Sequence, residues 1–301
     1  MSVDSASNPA VLITGIEGFT GPYVASKFEE AGFDVHGLSN NADSKPTNFN
    51  ADLADRGALQ KVINTVKPQV VIHLAAISFV AHGDVGQIYQ SNVVGTYNLL
   101  SALANGPVEP QAVILASSAN VYGNSLESTL HEGVALSPAN DYAVSKLSME
   151  YMASLWFDRL PISVVRPFNY TGVGQTEKFL VSKIVAHYRK QAQRIELGNL
   201  NVSRDFSDVR FVAEAYSRLS QQANASGEII NICSGEAMSL QEIISAMNSI
   251  AGYEIEVDVN PDFVRANDVL KLVGSNEKLF SLVGDIERVP FINTLEWMYR
   301  S

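Results

Sequence analysis

Short apolar runs alternate with longer, helix-spaced segments through the first half of the chain. Residues 11–14 form one such run, and the apolar positions of residues 19–31 repeat at helical intervals. This alternation predicts βαβ units and therefore an α/β fold with a doubly wound parallel sheet. The predicted strands cover residues 11–14, 34–38, 48–51, 70–74, 112–117 and 162–166, and the predicted helices cover residues 19–31, 55–65, 87–104 and 142–157.

Three glycines, Gly15, Gly18 and Gly21, lie between the first predicted strand and the first predicted helix. Glycine lets the backbone approach a pyrophosphate closely, and a helix N-terminus presents free N–H groups and the positive end of its dipole. Because the motif follows a strand and opens a helix, a cofactor-binding turn is favoured over a plain tight turn. We therefore predict a Rossmann-type sheet whose dinucleotide contacts include Phe19 and Thr20.

The end of the second predicted strand bears on the choice of dinucleotide. NAD enzymes usually place an acid there to hold the ribose 2′-hydroxyl, whereas this chain has Ser39 and Asn40. With no carboxylate in that place to repel a 2′-phosphate, NADP(H) is favoured. NAD(H) stays open, because no arginine answers the phosphate and Lys45 is the nearest base.

Further cofactor contacts are expected beside the later strands. Asp52 would suit the adenine edge, although a helix N-cap is an equally good interpretation of such an acid. Asn92, on an inward helix face, could hydrogen-bond backbone and steady Lys146. Small residues after residue 73 are expected where the backbone passes the dinucleotide. These candidates are Asp52, Leu53, Leu74, Ala75, Ala76 and Asn92.

Tyr142 and Lys146 are four residues apart on a predicted helix and therefore share one face. A cation beside the phenol favours phenolate and lowers the tyrosine pKa from about 10. Such a phenol can exchange a proton with a substrate oxygen near neutral pH. Alone, the spacing also fits an ordinary surface pair.

Ser118 follows a predicted strand at the sheet edge where ligands bind in this fold. Its hydroxyl can then donate to the same substrate oxygen as Tyr142 and stabilise developing charge. A serine at a strand end could equally be only a cap or turn residue. Residues 78–82 should border the reacting carbon.

The second half of the chain carries five further motifs. They are residues 166–175 (RPFNYTGVGQ), 198–200 (GNL), 203–209 (SRDFSDV), 231–235 (NICSG) and 265–269 (RANDV). Together with the glycine turn and with Ser118, Tyr142 and Lys146 in this order, they make the chain resemble the extended short-chain dehydrogenases/reductases that act on nucleotide sugars. The resemblance runs from Val11 to the C-terminus.

The resemblance implies that Ser118, Tyr142 and Lys146 form a catalytic triad and that Lys146 also binds the nicotinamide ribose. It implies that Arg204 and Arg265 hold a diphosphate, for which a guanidinium fork is well shaped. The alternative is that these arginines pair on the surface with Asp205 and Asp268. The substrate-binding candidates are Ser78, Val80, Asn120, Asn169, Lys178, Gly198, Asn199, Arg204 and Arg265.

Three reactions share such a triad: 4-epimerisation, 4,6-dehydration and 4-ketoreduction. The dehydratases place an acid where this chain has Asn120, and a neutral amide cannot remove the C5 proton. An epimerase keeps NAD(H) tightly bound, whereas a reductase releases its cofactor. Together with the preference for NADP(H), this favours reduction of a 4-keto sugar carried on a nucleoside diphosphate, with GDP favoured. A 4-epimerase with bound NAD and a non-catalytic dinucleotide sensor are the alternatives.

Composition narrows the partners. A net charge of −11 and a pI near 4.9 argue against nucleic acid and anionic membranes. The sequence has no apolar run long enough for a membrane span, no signal peptide in residues 1–8 and no metal-ligand spacing among its five histidines, so a cytoplasmic location is expected. The single cysteine, Cys233, excludes an intrachain disulfide, and its apolar neighbours predict a buried strand thiol.

The chain is long enough for a large domain and a smaller lobe. Residues 1–168 are expected to form the dinucleotide-binding domain, with residues 206–235 returning to it. Residues 169–205 and 236–301 would form a smaller C-terminal substrate-binding lobe. The resemblance implies a homodimer formed through helices 87–104 and 142–157, although their apolar residues could serve only the sheet.

Overall fold

The computed structural model describes residues 8–40, 47–78, 84–200, 202–261 and 271–301. Its central sheet has seven strands in the order β10, β6, β5, β4, β1, β2, β3. The pairs from β6 through to β3 are parallel. This confirms the predicted Rossmann-type α/β fold. The strands are β1 (Ala10–Thr14), β2 (Asp34–Ser39), β3 (Asn48–Asn50), β4 (Val70–His73), β5 (Ala112–Ala116), β6 (Ile162–Pro167) and β10 (Ile229–Ile232).

The helices predicted beside this sheet are observed close to their predicted positions. They are α1 (Gly21–Glu30), α2 (Arg56–Val66), α3 (Val85–Tyr89), α4 (Thr96–Ala104) and α5 (Asp141–Ser154). A further helix, α7 (Val209–Leu219), was not predicted from the sequence. The predicted helix 87–104 is interrupted, because Gln90–Gly95 between α3 and α4 is π-helical. Such insertions in a helix are rare and occur often at functional sites.

The core of the sheet explains why the strands read as continuous apolar runs rather than alternating ones. Val11, Leu12 and Ile13 of β1 are all fully buried. A parallel strand covered on both faces has no polar side. On one face, Leu12 belongs to a cluster that includes Leu59 of α2 and Leu99 of α4.

The chain divides into two compact units. Unit 1 comprises Met1–Ser118, Asn140–Arg166 and Ala213–Ile230, and unit 2 comprises Ala119–Ala139, Pro167–Val212 and Asn231–Ser301. The boundaries expected from the sequence differ from this division in three places. They kept residues 119–139 and residues 167–168 in the dinucleotide-binding domain, and they returned residues 206–235 rather than 213–230 to it.

Unit 2 has its own strands and its own core. In it β9 pairs with β7, β11 and β13, and β8 pairs with β12. Helices α6, α8 and α10 contribute Ile184, Ile243 and Leu295 to one buried cluster. Its elements are β7 (Asn169–Thr171), α6 (Leu180–Arg189), β8 (Arg194–Leu197), β9 (Ser203–Asp208), β11 (Ala237–Ser239), α8 (Leu240–Ala251), β12 (Glu256–Val259), β13 (Lys271–Leu272), α9 (Glu277–Val283) and α10 (Phe291–Arg300).

Cys233, which directly follows β10, is buried as predicted, and burial raises the pKa of its thiol.

Within the described ranges of the chain, no helix is both long and apolar enough to cross a membrane.

Candidate active site

Tyr142 and Lys146 lie on one buried face of α5. The helix starts where it does because the Asn140 side chain caps it, accepting a hydrogen bond from the Ala143 N–H at 2.9 Å. Tyr142 is 8% exposed and Lys146 is 4% exposed. The pair is therefore not the ordinary surface pair that the spacing alone also allowed.

Lys146 connects α5 to the end of β5. Its Nζ donates a hydrogen bond of 2.6 Å to the carbonyl oxygen of Ala116, two residues before the buried Ser118. Burial lowers the pKa of Lys146 to about 8, and the negative charge of Glu150 opposes that shift. The amine is therefore still mostly cationic at neutral pH.

The structure adds a buried ion pair that the sequence analysis missed. Arg166 donates to Glu150 through Nε at 2.9 Å and through Nη2 at 2.6 Å. The Ser117 hydroxyl donates to the same carboxylate. All three residues are buried. The available signal was the spacing, because Glu150 continues the row of Tyr142 and Lys146 at the next four-residue step.

A chain of hydrogen bonds within unit 1 connects α4, β4 and β1. Thr96 donates to the Asn92 carbonyl, so its oxygen accepts from Nε2 of His73 at 2.8 Å. Nδ1 of His73 then accepts from the Thr14 hydroxyl at 2.7 Å. Burial, aided by the positive charge of Lys146, lowers the pKa of His73 to about 3. The imidazole is therefore neutral.

Asn92 lies in the π-helical segment and connects three parts of unit 1. Its Oδ1 accepts from the Ile77 N–H at 2.9 Å, and its Nδ2 donates to the Ile77 carbonyl and to the hydroxyl of Ser145. Ser145 in turn donates to the Tyr142 carbonyl at 2.7 Å. Asn92 thus supports the residue that precedes Lys146.

The glycine turn packs against the segment that follows β4. Gly15 has a φ of +70°, and a Cβ built there would lie 2.8 Å from the backbone nitrogen of Ala75. A Cβ on Gly21 would lie 2.0 Å from the Ile16 carbonyl oxygen. Two predicted cofactor segments, residues 15–21 and 74–76, are therefore adjacent.

This region fits a dinucleotide. The first turn of α1 contains no acidic residue, and the N-cap Thr20 makes no side-chain capping bond. A phosphate would meet the positive end of the helix dipole without a competing carboxylate in that turn. The close approach at Gly15 leaves no room for a larger side chain between the turn and Ala75.

A carboxylate does stand at the end of β2, where the sequence analysis found none. The Ser39 hydroxyl donates to Glu17 Oε2 at 3.0 Å. Glu17 comes from the glycine turn, which is held beside β2 by a 2.8 Å hydrogen bond from the Gly15 N–H to the Leu38 carbonyl. The premise of an acid-free strand end was wrong, because the acid arrives from another loop.

Three further cofactor candidates lie in unit 1: Asp52, Leu53 and Asn40. Asp52 accepts from the Ala54 N–H at 2.8 Å, whereas the N-cap of α2 is Asp55. Asp52 therefore shapes the turn before the helix and does not cap it. The Leu53 carbonyl accepts from the Asn98 side chain at 2.9 Å. Asn40 is exposed.

The substrate candidates divide between the units. Ser78 is an exposed residue of unit 1, and Val80, Arg265 and Asp268 lie outside the described residues. The other substrate-binding candidates belong to unit 2. They are Asn120, Asn169, Lys178, Gly198, Asn199 and Arg204.

Asp205 organises part of unit 2 rather than serving as an ion-pair partner for Arg204. Neighbouring residues of a strand point to opposite faces, so these two side chains diverge. The fully buried Asp205 carboxylate accepts from the N–H groups of Ser234, Gly235 and Gly274 and from the Ser234 hydroxyl. Its backbone carbonyl accepts from the Asn169 side chain at 3.3 Å. Burial raises the pKa of Asp205 against the effect of these donors.

Among the residues that the structure describes, no group of three or more His, Cys, Asp or Glu side chains is placed to hold a metal ion.

Known sequences that are similar to this chain include two that span nearly all of it. GDP-6-deoxy-D-talose 4-dehydrogenase from Aggregatibacter actinomycetemcomitans is 33% identical over 293 residues, which cover 97% of this chain and 97% of the relative. GDP-6-deoxy-D-mannose reductase from Pseudomonas aeruginosa is 33% identical over 286 residues, which cover 91% of this chain and 90% of the relative.

Solved structures agree over the same extent. A candidate epimerase from Burkholderia cenocepacia J2315 has a TM-score of 0.92 and 48% identity, with coverage of 98% of this chain and 97% of that one. RMD from Pseudomonas aeruginosa, solved with NADPH, has a TM-score of 0.85 and 29% identity, with coverage of 97% and 98%. The family model described as GDP-mannose 4,6 dehydratase matches residues 12–298. The chain therefore belongs to the GDP-mannose 4,6-dehydratase family of extended short-chain dehydrogenases/reductases.

Proposed function

We propose that this protein is an NADPH-dependent 4-ketoreductase that acts on a GDP-4-keto-6-deoxyhexose and gives GDP-D-rhamnose or its C4 epimer. The observation that carries the proposal is the buried face of α5, where Lys146 is hydrogen-bonded to the strand that leads into Ser118. The motifs are most similar to those of GDP-6-deoxy-4-keto-D-lyxo-hexulose reductase, and both relatives described above are named for redox chemistry on GDP-6-deoxy sugars.

In this proposal the three unit 1 residues handle the proton and the oxygen. The Lys146 ammonium stabilises the Tyr142 phenolate, which makes the phenol a better acid near neutral pH. Tyr142 then protonates the oxygen that forms at C4, while the Ser118 hydroxyl donates a hydrogen bond to the same atom. A bound nicotinamide dinucleotide supplies the hydride for C4. The glycine turn and Lys146 would hold that cofactor.

Residues of unit 2 are proposed to bind the nucleotide sugar. Arg204 supplies a guanidinium fork suited to a diphosphate, and Arg265 would supply a second one. Asn169 supports this proposal through its bond to the Asp205 backbone, next to Arg204 in β9. Lys178, Gly198, Asn199 and Asn120 complete the proposed substrate set, with Ser78 and Val80 bordering the reacting carbon.

Dehydration is disfavoured although the family carries the dehydratase name. Removal of the C5 proton needs a base, and the position that is acidic in dehydratases is Asn120 here. An amide has no basicity near neutral pH. Replacing Asn120 with Glu supplies a carboxylate there without altering the proposed reductase triad.

A specific observation favours a second candidate, a nucleotide-sugar 4-epimerase with tightly bound NAD. The Glu17 carboxylate at the end of β2 would repel a 2′-phosphate and suits a free ribose hydroxyl. Purified protein that carries NAD(H) through gel filtration and interconverts C4 epimers without added cofactor would establish this candidate over the reductase.

The reductase is tested by following the near-ultraviolet absorbance of NADPH during incubation with GDP-4-keto-6-deoxymannose. We expect substrate-dependent loss of absorbance, and we expect Tyr142→Phe to slow it by about 100-fold or more, because the proton donor is lost. Tyr299→Phe, the same change at a tyrosine of α10 that has no role in the proposed reaction, is the matched control. An unchanged trace with wild-type protein, or a Tyr142→Phe variant of near wild-type rate, would rule the proposal out.

A homodimer is proposed on the apolar side chains that the α4 and α5 region exposes. Tyr151 is 66% exposed, Leu155 is 81% exposed, and Val94 and Tyr97 are each 39% exposed. Exposed apolar residues on neighbouring helices suit an interface with a second copy. Light scattering should give the mass of a dimer, and Tyr151→Glu with Leu155→Glu should give that of a monomer.

A further inference from the structure

Glu150 and Arg166 lie beneath the proposed catalytic residues and take no part in the mechanism above. Glu150 is 4% exposed and Arg166 is 2% exposed. Removing two charges from water is expensive and is repaid only by good geometry. Here the guanidinium grips the carboxylate through two nitrogens, at 2.9 and 2.6 Å, and the Ser117 hydroxyl occupies a further acceptor site.

The pair also joins α5 to the strand that carries Ser118. Lys146 donates to the carbonyl of Ala116, and one helical turn later Glu150 accepts from Ser117. Two consecutive turns of the helix therefore bind two consecutive residues at the end of β5. The Ser117 N–H is itself fixed by a 2.8 Å hydrogen bond to the Val165 carbonyl of β6, the residue before Arg166.

We propose that Glu150 and Arg166 are positioning residues, whose ion pair keeps the Lys146 amine charged beneath Tyr142 and holds the β5 end that presents Ser118. The inference rests on the proposed function, because it assigns a role in the same reaction. It differs from a purely structural role in one respect: it requires the charge of Glu150, not only its bulk.

Within the described part of the chain, charged and titratable groups near Lys146 lie on four elements: α5, α3, β4 and β6. Tyr142 and Glu150 lie on α5 itself, and Asp141 in its first turn accepts from Tyr89 of α3. His73 of β4 is neutral. Arg166 of β6 is the counterion of Glu150. The Glu150 carboxylate is the group that raises the pKa of Lys146, while burial lowers it.

The test reads the Lys146 amine directly. Protein labelled with ¹³C at the lysine ε-carbon is titrated by NMR, and the Lys146 signal is assigned by its loss in Lys146→Met. In Glu150→Gln the carboxylate is gone and the Arg166 cation is left unpaired, so we expect the Lys146 titration midpoint to fall by about one pH unit or more. In Glu150→Gln combined with Arg166→Gln both charges are gone, and the midpoint should return part of the way.

Two controls separate charge from packing. Glu150→Asp keeps the charge and should leave the midpoint within about half a unit of wild type. Glu29→Gln removes the same charge from an exposed position of unit 1 and should leave it unchanged. If Glu150→Gln lowers thermal stability but does not move the midpoint, the pair is only structural and the proposal is overturned.

The wild-type protein provides the same test if the variants do not fold. A buried lysine without a compensating charge titrates at a pH of about 5–6. A wild-type midpoint above about 6 supports the role of Glu150, and one at or below about 6 contradicts it. The titration needs no turnover, so its outcome stands even if the protein fails to oxidise NADPH. When turnover is present, the alkaline limb of kcat/KM should shift down in Glu150→Gln by the same amount as the NMR midpoint.

Discussion

Glu150 in unit 1 and Asp205 in unit 2 are both buried carboxylates that organise their surroundings, and their charges are compensated in different ways. Glu150 in unit 1 faces a full counter-charge, the Arg166 guanidinium. Asp205 in unit 2 is fully buried and accepts from neutral donors: three backbone N–H groups and the Ser234 hydroxyl. One carboxylate is neutralised by an ion, and the other is solvated by the backbone.

The difference separates two uses of a buried charge. Asp205 orders the loop at Ser234 and Gly235 through neutral donors, without a cation. Glu150 has a fixed cation on one side and Lys146 on the other, so its charge can influence the amine. A carboxylate held by neutral dipoles builds structure, whereas one placed between two cations also sets a protonation state.

The largest expected effect comes from breaking the ion pair on one side. Glu150→Ala or Arg166→Met should each lower the free energy of unfolding by about 3–5 kcal/mol, because an unpaired charge stays buried. The double variant should lose less than the more damaging single one. Urea denaturation of the three variants measures this, and a double variant that loses the sum of the singles would contradict the coupling.

Removing the Asp205 carboxylate should lower the free energy of unfolding by somewhat less. In Asp205→Ala the buried donors of Ser234, Gly235 and Gly274 lose their acceptor, and we expect a loss of about 2–4 kcal/mol. Asp258→Ala, at a position of β12 whose side chain is 46% exposed, is the control and should change little. Equal urea midpoints for the two variants would mean that the Asp205 network contributes no net stability.

The pH dependence of stability should then distinguish Asp205 from a neutral side chain. Burial raises the folded-state pKa of Asp205 above its ordinary value of 3.8, so the folded protein binds its proton more tightly than the unfolded chain does. The corresponding stability is fully present below pH 3.8 and is lost as the pH rises through the folded-state pKa. Relative to Asp205→Asn, wild-type protein should therefore lose stability across that window. Denaturation at a series of pH values checks the sign, and an opposite slope would show that the donors outweigh burial.

Glu150 also shows how much of the structure can be predicted from the sequence. The period of apolar residues and the glycine turn were enough to predict the doubly wound parallel sheet and the first βα turn, because both depend on local pattern. The helix face of Tyr142 and Lys146 followed from spacing alone. Glu150 lies on that face too, but its partner Arg166 is sixteen residues away on strand β6. Such a pairing depends on tertiary packing, which no local pattern encodes.

Other differences have the same physical origin. The helix expected at residues 87–104 is broken by a π-helical segment, in which Asn92 bonds to Ile77 and to Ser145 of α5. Those partners are distant in sequence. Residues 119–139 belong to unit 2 although they directly follow β5 of the central sheet. A chain that crosses between units and returns leaves no compositional mark at the crossing.

The smallest expected effect, on the choice between NADPH and NADH, comes from Glu17, a carboxylate that is exposed rather than buried. It accepts from Ser39 at the end of β2, where the ribose 2′-position of a dinucleotide is expected. Because Glu17 is exposed, solvent and salt screen its charge, so Glu17→Gln should raise kcat/KM for NADPH relative to NADH by only about threefold. Glu29→Gln, with the same charge change on α1 away from that strand end, should leave the ratio unchanged. The gain should shrink as salt is added, because an electrostatic effect at an exposed site is screened over about 10 Å at 0.1 M. A ratio that does not respond to Glu17→Gln would mean that this carboxylate lies away from the 2′-position, and the case for a bound-NAD epimerase would lose its structural support.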